Sequence, residues 1–508
     1  MSISERNENK NMIYQKLTDR LGVKKSAYAF IICVISVLLI AALILSLTGL
    51  IPSHAAMIDL TSNNMYTLTD TSVDVLASLD KDITVYLLSY QGEENETIRV
   101  FLERYAGKSD KITVTELDIE KDAELIKSYT SQTPESNSII IASADRYRYI
   151  PYYMLFNYSS DAYYNAYTIY SYYYQNGTIT ASFTDFMKYF APYSALYDGY
   201  AYEMQITSAI KYVAAGELTS LYMMLGHSEE GLTEDVASRI ASDCIELLPL
   251  KADTEDIPPD ADCILLMPAT DITENEYEKL KAYMDGGGRV ILITTYFPET
   301  KFDNLIRLTS EYGLTSDLNA YLCEDNENYC YSGYPELIIP DISDIPLADL
   351  LDAEDSRVLL GGSTGIKVSE TVPEGIDITP ILTTSPDAYT KADTDNGLEF
   401  DEDTDVRSIY LTGVCAENTS GGGLVWFSSG AIIYDDYDVY SNFGNKLTFM
   451  HYLNTFTENN DRLQISPIQS VSTAIDAGTP FIYTFFALFC LLIPAAVLVF
   501  GIIRYKKR

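Results

Sequence analysis

Hydrophobic residues are arranged along this chain in three ways: unbroken at both ends, in short solid runs through the middle, and at helical spacing between those runs. From Ser26 to Met57 and from Ala477 to Ile503 no residue is charged. About 20 apolar residues suffice to cross a bilayer as a helix, so the pattern predicts transmembrane helices over 26–51 and 481–503. Lys24 and Lys25 precede the first run, and Arg504, Lys506, Lys507 and Arg508 follow the second. Basic flanks stay on the cytoplasmic side, so the expectation is a two-span protein of the cell membrane with cytoplasmic tails at 1–25 and 504–508 and a large extracellular domain. A cleaved signal peptide is the alternative for the first run, with Ser53-His54-Ala55 as a loose cleavage pattern. A signal's apolar region, however, is only about 7 to 15 residues long.

The middle of the chain reads as α/β throughout. Over 52–150, ITVYLL (Ile83 to Leu88) and KITVTELDI (Lys111 to Ile119) have strand character, and NETIRVFLERYA has helical spacing with Asn95 placed to cap it. A short helix in DAELIKSYT and a strand pair in SIIIASADRYRYI complete a small unit that is thioredoxin-like in element order, with no CxxC in it. Over 204–460, the solid runs SLYMMLG, ADCILLMPAT, RVILITT and GGLVWFSSG alternate with amphipathic segments, among them TENEYEKLKAYMDGGG with Thr273 as N-cap and a glycine stop. Solid apolar strands separated by such helices predict a parallel sheet wound on both faces, and NKLTFMHYLNTFT predicts a closing helix. Residues 461–480 read as a linker. Between the two units, 151–203 forms a tyrosine-rich insertion or hairpin region.

That insertion changes the functional picture. Seventeen of the chain's 42 tyrosines lie between Tyr147 and Tyr202, where charges are few. Tyrosine is rigid and amphipathic and is enriched in interfaces, which makes Tyr172, Tyr173 and Tyr174 candidate partner contacts. A hairpin that merely covers a sheet would carry the same composition.

Charge excludes one class of partner. The net charge is −39, and since residues 1–51 carry +3 and the tail from Arg504 carries +4, the stretch between holds −46. So acidic a surface repels nucleic acid. The segment TKADTDNGLEFDEDTDV packs seven acids between Asp393 and Asp405. Counted from Asp393, Gly397 falls fifth and Thr404 twelfth, which does not fit a calcium loop, so 391–407 reads as a solvated, mobile acidic loop. Of seven cysteines, Cys33 and Cys490 lie in the predicted spans and five remain. An odd number on so long a domain is not a disulfide scaffold. Cys323 and Cys330 could close a small ring, and Cys263 reads as a buried thiol. Three histidines without paired Cys/His spacing imply no metal site, and no cofactor is implied.

Catalytic apparatus is absent from the pattern. A glutamine-amidotransferase-like enzyme on this sheet would need a nucleophilic Cys at a strand-to-helix elbow with a later His, and CILLMPAT runs instead into Asp271 and Thr273. The larger domain is therefore expected to be amidotransferase-like in fold and non-catalytic. Gly286 to Gly288 follows a helix and precedes a strand, so it reads as a helix stop rather than a phosphate cradle. The polar cluster Gly226-His227-Ser228-Glu229-Glu230 comes directly after the strand LYMML. Open α/β sheets bind ligands beyond the carboxyl ends of their strands, which makes His227 and Glu229 candidate ligand or partner contacts. A lone histidine after a strand is more often a loop-anchoring hydrogen-bonder.

Taken together, several segments resemble the GldG-like family, the auxiliary component of gliding-motility-type ABC transport systems. They are IDLTSNNMYTLTDTSVDVLASLDKDITVYLL, EMQITSAIKYV, LYMMLGHSEE, ILLMPATDITENEYEKLKAYMDGGGRVILI, ILTTSPDAY and FGNKLTFMHYL, in the family's order. The resemblance implies a membrane-anchored, extracytoplasmic, non-enzymatic accessory subunit working with a separate ABC permease and a cytoplasmic ATPase. The tyrosine-rich stretch and the acidic loop depart from the family's pattern, and family members often carry more spans. The alternative is a surface module that recognises a cell-envelope glycan or peptide through its tyrosines.

Overall fold

Two sheets organise the chain from Tyr66 to Gln469. The computed structural model describes residues 65–469 apart from 393, 395, 396, 443, 460–462 and 464. Among the described residues no helix is long and apolar enough to cross a membrane. The longest, Ser160–Gln175, has 16 residues and so extends about 24 Å, against a bilayer core of about 30 Å. This overturns the expected architecture of two flanking spans and, with it, the two-span membrane localisation with both termini cytoplasmic. The fold is mixed α/β, and the segments 26–51 and 481–503 lie outside the described residues.

The first sheet is built from α1 (Asp70–Ala77), β1 (Ile83–Ser89), α2 (Glu96–Ala106), β2 (Ile112–Asp118), β3 (Ile139–Ala142) and β4 (Tyr147–Ile150). Strand order is β2-β1-β3-β4, with β1 and β2 parallel and the last two strands antiparallel. Asn95 starts α2 by accepting from the N–H groups of Thr97 and Ile98, and Ile98, Phe101, Leu102 and Tyr105 form its buried stripe. After the strand pair comes not a hairpin but two helices, α3 (Ser160–Gln175) and α4 (Phe183–Tyr189), capped by Ser159 and Ser182. A free cap and 16 residues without Gly or Pro allow the helix, and Tyr163 and Ala166 pack against Phe186 and Met187 of α4. Tertiary packing here overrides the strand preference of tyrosine.

Helix α5 (Tyr202–Ala214) returns to the first sheet and packs on β3 and β4. Its Glu203 carboxylate accepts from Thr69 N (2.6 Å), Thr69 Oγ1 (2.8 Å) and Ser72 Oγ (2.6 Å), while Tyr105 Oη and Thr207 Oγ1 lie 2.7 Å apart. The helix therefore closes the first unit, and a domain boundary at 204 would cut through it. The junction between the sheets falls after α5, before the next strand.

The second sheet contains β5 (Thr219–Met224), α6 (Glu234–Ser242), β6 (Ile245–Leu250), β7 (Cys263–Leu266), α7 (Glu274–Asp285), β8 (Arg289–Ile293), α8 (Asp303–Ser310), β9 (Leu314–Ser316), α9 (Ile345–Ala353), β10 (Ile366–Val368), β11 (Ile376–Thr383), β12 (Leu411–Asn418), β13 (Gly423–Phe427) and α10 (Gly444–Phe456). Its order is β9-β10-β12-β13-β8-β7-β5-β6, with β11 also paired to β12. The five strands from β13 to β6 are parallel, and in chain order they run 2-1-3-4-5, the flavodoxin-like winding. The remaining strands extend this core antiparallel. Alternate residues of each parallel strand enter opposite cores: Leu265, Ile291 and Val425 one, Ile264, Leu266, Val290 and Trp426 the other. Burial on both faces is why these strands read as solid apolar runs.

The middle segment 341–407 contributes more sheet than its weak pattern suggests. β11 contains Pro380 and exposes residues at its outer positions, as an edge strand can. The acidic loop is tied at its base: Lys391 Nζ meets Asp405 Oδ2 at 2.9 Å, both buried, and donates to the Glu399 carbonyl at 2.8 Å. Cys323 and Cys330 are free, buried thiols on separate small sheets, so no ring joins them. Cys263 is fully buried, and burial pushes its thiol up to about 12.

Two substitutions test this architecture by urea unfolding. Leu265→Ala removes a side chain with no exposed area and is expected to cost about 2–5 kcal/mol. Glu203→Ala strips three hydrogen bonds between α1 and α5 and is expected to cost about 1–3 kcal/mol; no loss would mean that α5 does not close the first unit.

Candidate functional site

Strands β5 and β7 are first and third in chain order yet adjacent in the sheet, so the loops leaving their carboxyl ends flank the topological switch point. The backbone turns sharply there. Gly226 has φ +119°, a conformation open to glycine, and Ser228 has φ 56°. The two loops are joined through the His227 carbonyl, which accepts from Ala269 N and Thr270 N at 3.0 Å each.

His227 points inward. Its ring is 4% exposed, and Nε2 lies 2.9 Å from Glu276 Oε2. An ionised carboxylate only accepts, so Nε2 donates to it. Nδ1 is buried and has no hydrogen-bond partner among the described residues. Glu276 is the third residue of α7 and closes a capping box: Thr273 N donates to its carboxylate at 2.8 Å, and Thr273 Oγ1 accepts from Glu276 N at 3.3 Å. One carboxylate thus starts a helix and fixes a histidine from the neighbouring loop.

Electrostatics follow the hydrogen bonds. Burial alone would raise the pKa of Glu276, but donation from Thr273 and His227 outweighs it and holds the carboxyl below its ordinary value. Glu229 folds back on its own loop, accepting from Gly226 N at 3.0 Å and His227 N at 2.6 Å. Burial works against its charge too, and those backbone N–H groups overcome it to keep it low. Both residues therefore hold the switch-point loop in shape. Glu276 was the partner hidden from sequence reasoning: T-x-x-E at Thr273 is a visible cap signal, but its contact with a residue 49 positions earlier is not.

Tyr172, Tyr173 and Tyr174 form a second group, on the last turn of α3, and are 65%, 39% and 53% exposed. Tyr164, Tyr189, Phe190 and Tyr193 are exposed as well, so the helical pair presents aromatic rings to solvent. The inner tyrosines do different work. Tyr163 and Tyr167 meet Phe183 edge to face and Tyr170 meets it at a tilt, and Tyr167 Oη meets Tyr440 Oη at 3.3 Å, which joins α3 to the segment before α10. Gly287, with φ +101°, and Gly288 end α7 and meet no helix N-terminus, so this glycine run is structural. Among the described residues no group of three or more His, Cys, Asp or Glu is placed to hold a metal ion.

A family model described as a domain of unknown function, DUF7088, matches residues 62–148, which contain β1 to β3. No curated protein matches the chain. Among solved structures, the mmIFT52 N-terminal domain is similar over 48% of this chain and 100% of its own, at 16% identity and a TM-score of 0.36. A β-galactosidase from Rahnella sp. R3 is similar over 50% of this chain and 33% of its own, at 11% identity and a TM-score of 0.26. The α-L-fucosidase isoenzyme 2 from Paenibacillus thiaminolyticus is similar over 52% and 36%, at 11% identity and a TM-score of 0.26. This chain spans about a third of the length of those two enzymes. Likenesses at this level carry no function to it.

The low carboxyls set a pH dependence. A carboxylate held below its unfolded pKa stabilises the fold above that value and loses the contribution as pH falls through the folded pKa. Unfolding midpoints of the unaltered chain are expected to fall below about pH 4, and Glu276→Gln to fall less over the same range. At pH 7, His227→Ala is expected to cost about 1–3 kcal/mol, because the carboxylate loses a charge-assisted donor.

Proposed function

We propose that this chain is a non-enzymatic accessory subunit of an ABC-type transport system, working with separate permease and ATPase subunits. The observation that carries this reading is the exposed aromatic surface of α3 and α4, an interface composition on a domain whose switch-point residues hold loops. The GldG-like resemblance supports it residue by residue. EMQITSAIKYV falls on α5, LYMMLGHSEE on β5 and its loop, ILLMPATDITENEYEKLKAYMDGGGRVILI on β7, α7 and β8, and GNKLTFMHYL of the last block on α10. These four blocks thus fall on successive elements of the fold. A second reading, recognition of an envelope glycan or peptide through the same tyrosines, is favoured by the exposure of Tyr172 and Tyr174 alone.

The tagged full chain is expected to co-purify with an ABC permease and ATPase of its host after cross-linking; recovery of the chain alone overturns the proposal. Joint replacement of Tyr172, Tyr173 and Tyr174 by Ser is expected to weaken that association tenfold or more, as loss of interface anchors costs about 2 kcal/mol or more each. The thermal midpoint should barely move, since exposed substitutions stay within about 0.5 kcal/mol. Association that persists in this variant, with loss of binding to isolated cell envelope, moves the function to the second reading.

A further inference from the structure

The first sheet has an open edge. β4 pairs with β3 on one side only, and Tyr147 to Ile150 make no other backbone hydrogen bond among the described residues. Beside this edge lies a cleft of about 320 Å³, with β4 and residues 129–132 on one side and α6 on the other. The facing side of α6 carries Ala237, Ser238 and Ala241, and these small side chains keep the cleft open. Tyr129 and Tyr147 meet edge to face at its mouth, with centroids 5.4 Å apart, and Tyr147 is half exposed.

Arg148 sits in the cleft wall with no acid in direct contact, Asp243 favouring its charge only from a longer range. It is 7% exposed and forms no ion pair among the described residues. Nη2 donates to the Ser238 carbonyl (3.0 Å), Ser238 Oγ (3.1 Å) and Ser242 Oγ (2.7 Å), all neutral groups. Nη1 is buried with no partner. Burial pulls the guanidinium down to about 10, which leaves it charged at neutral pH. The one acid lining the cleft, Glu234, is engaged by Lys188 of α4. A buried cation with no anion in direct contact is costly.

We propose that this cleft takes the carboxyl-terminal end of an extended peptide, its backbone added to the open edge of β4 and its carboxylate held by Arg148. Charge complementarity selects the carboxylate, and the free strand edge selects an extended chain over a compact acid. The tyrosines and Met154 supply the apolar wall for the terminal side chain. Nη1 is closed to solvent, so engagement needs a local rearrangement of the cleft wall. The site is independent of the transport reading and stands or falls separately from it.

Fluorescence polarisation of the full chain with a labelled hexapeptide ending in Val-Leu tests the assignment. The free acid is expected to saturate, the C-terminal amide to bind at least tenfold more weakly, and Arg148→Met to weaken the acid by at least as much. Arg148→Met should fold, because replacing an unpaired buried charge by an apolar group of similar length is often neutral or stabilising. Ala237→Leu, which fills the cleft from α6 and leaves Arg148 in place, is expected to weaken the acid as well, and it carries the test if Arg148→Met does not fold. Equal binding of acid and amide, or no saturation by the acid, overturns the proposal. So does phenylacetate binding as tightly as the peptide, which would assign the cleft to a small acid.

Discussion

The second domain depends on a parallel core whose inner strands β7, β8 and β13 are buried on both faces. Each supplies apolar side chains at successive positions, odd residues to one core and even residues to the other, as Ile291 and Leu292 do. Transfer of each such side chain out of water is worth about 1.5–3 kcal/mol, and a register slip of one residue would exchange the two sets. Trp426 is seated by the same constraint. Its ring fills one core, while Nε1 donates to Thr294 Oγ1 at 2.9 Å and so escapes the cost of an unpaired buried donor.

With the strands fixed, the polar groups at their ends are left to shape the loops. His227 with Glu276, Asp235 with Arg239 and Lys446, and Lys391 with Asp405 each place an ionised group under cover beside an opposite charge or a donor. Two of these pairs, His227 with Glu276 and Lys446 with Asp235, tie segments 49 and 211 positions apart in sequence. Lys446 is 1% exposed and its Nζ meets Asp235 Oδ2 at 2.9 Å, which fastens α10 to α6. Against that rule the unpaired guanidinium of Arg148 stands out, and the same rule gives it functional meaning.

Local signals were read well where one short segment carries its own instruction. Asn95 and Thr273 cap helices because their side chains satisfy N–H groups two or three residues ahead, a relation written in four consecutive letters. The tyrosine-rich segment was harder. Composition favours strands, yet Ser159 caps a helix whose inner face packs on α4. Helix α5 is amphipathic, and nothing in its periodicity says which sheet its apolar stripe covers. Edge strand β11 was lost because half of its positions face solvent and carry no apolar signal.

The sequence by itself determined the alternation of solid strands with amphipathic helices, the buried state of Cys263, the acidity of the chain and the structural role of Gly286 to Gly288. Those follow from residue periods and local turn chemistry, which act over a few positions. Only the tertiary structure decided the 2-1-3-4-5 winding, the return of α5 to the first sheet, the pairing of His227 with Glu276 and the isolation of Arg148 beside an open strand edge. Each of these is a meeting of residues tens to hundreds of positions apart. Their proximity is set by how the sheets pack, and no local pattern encodes it.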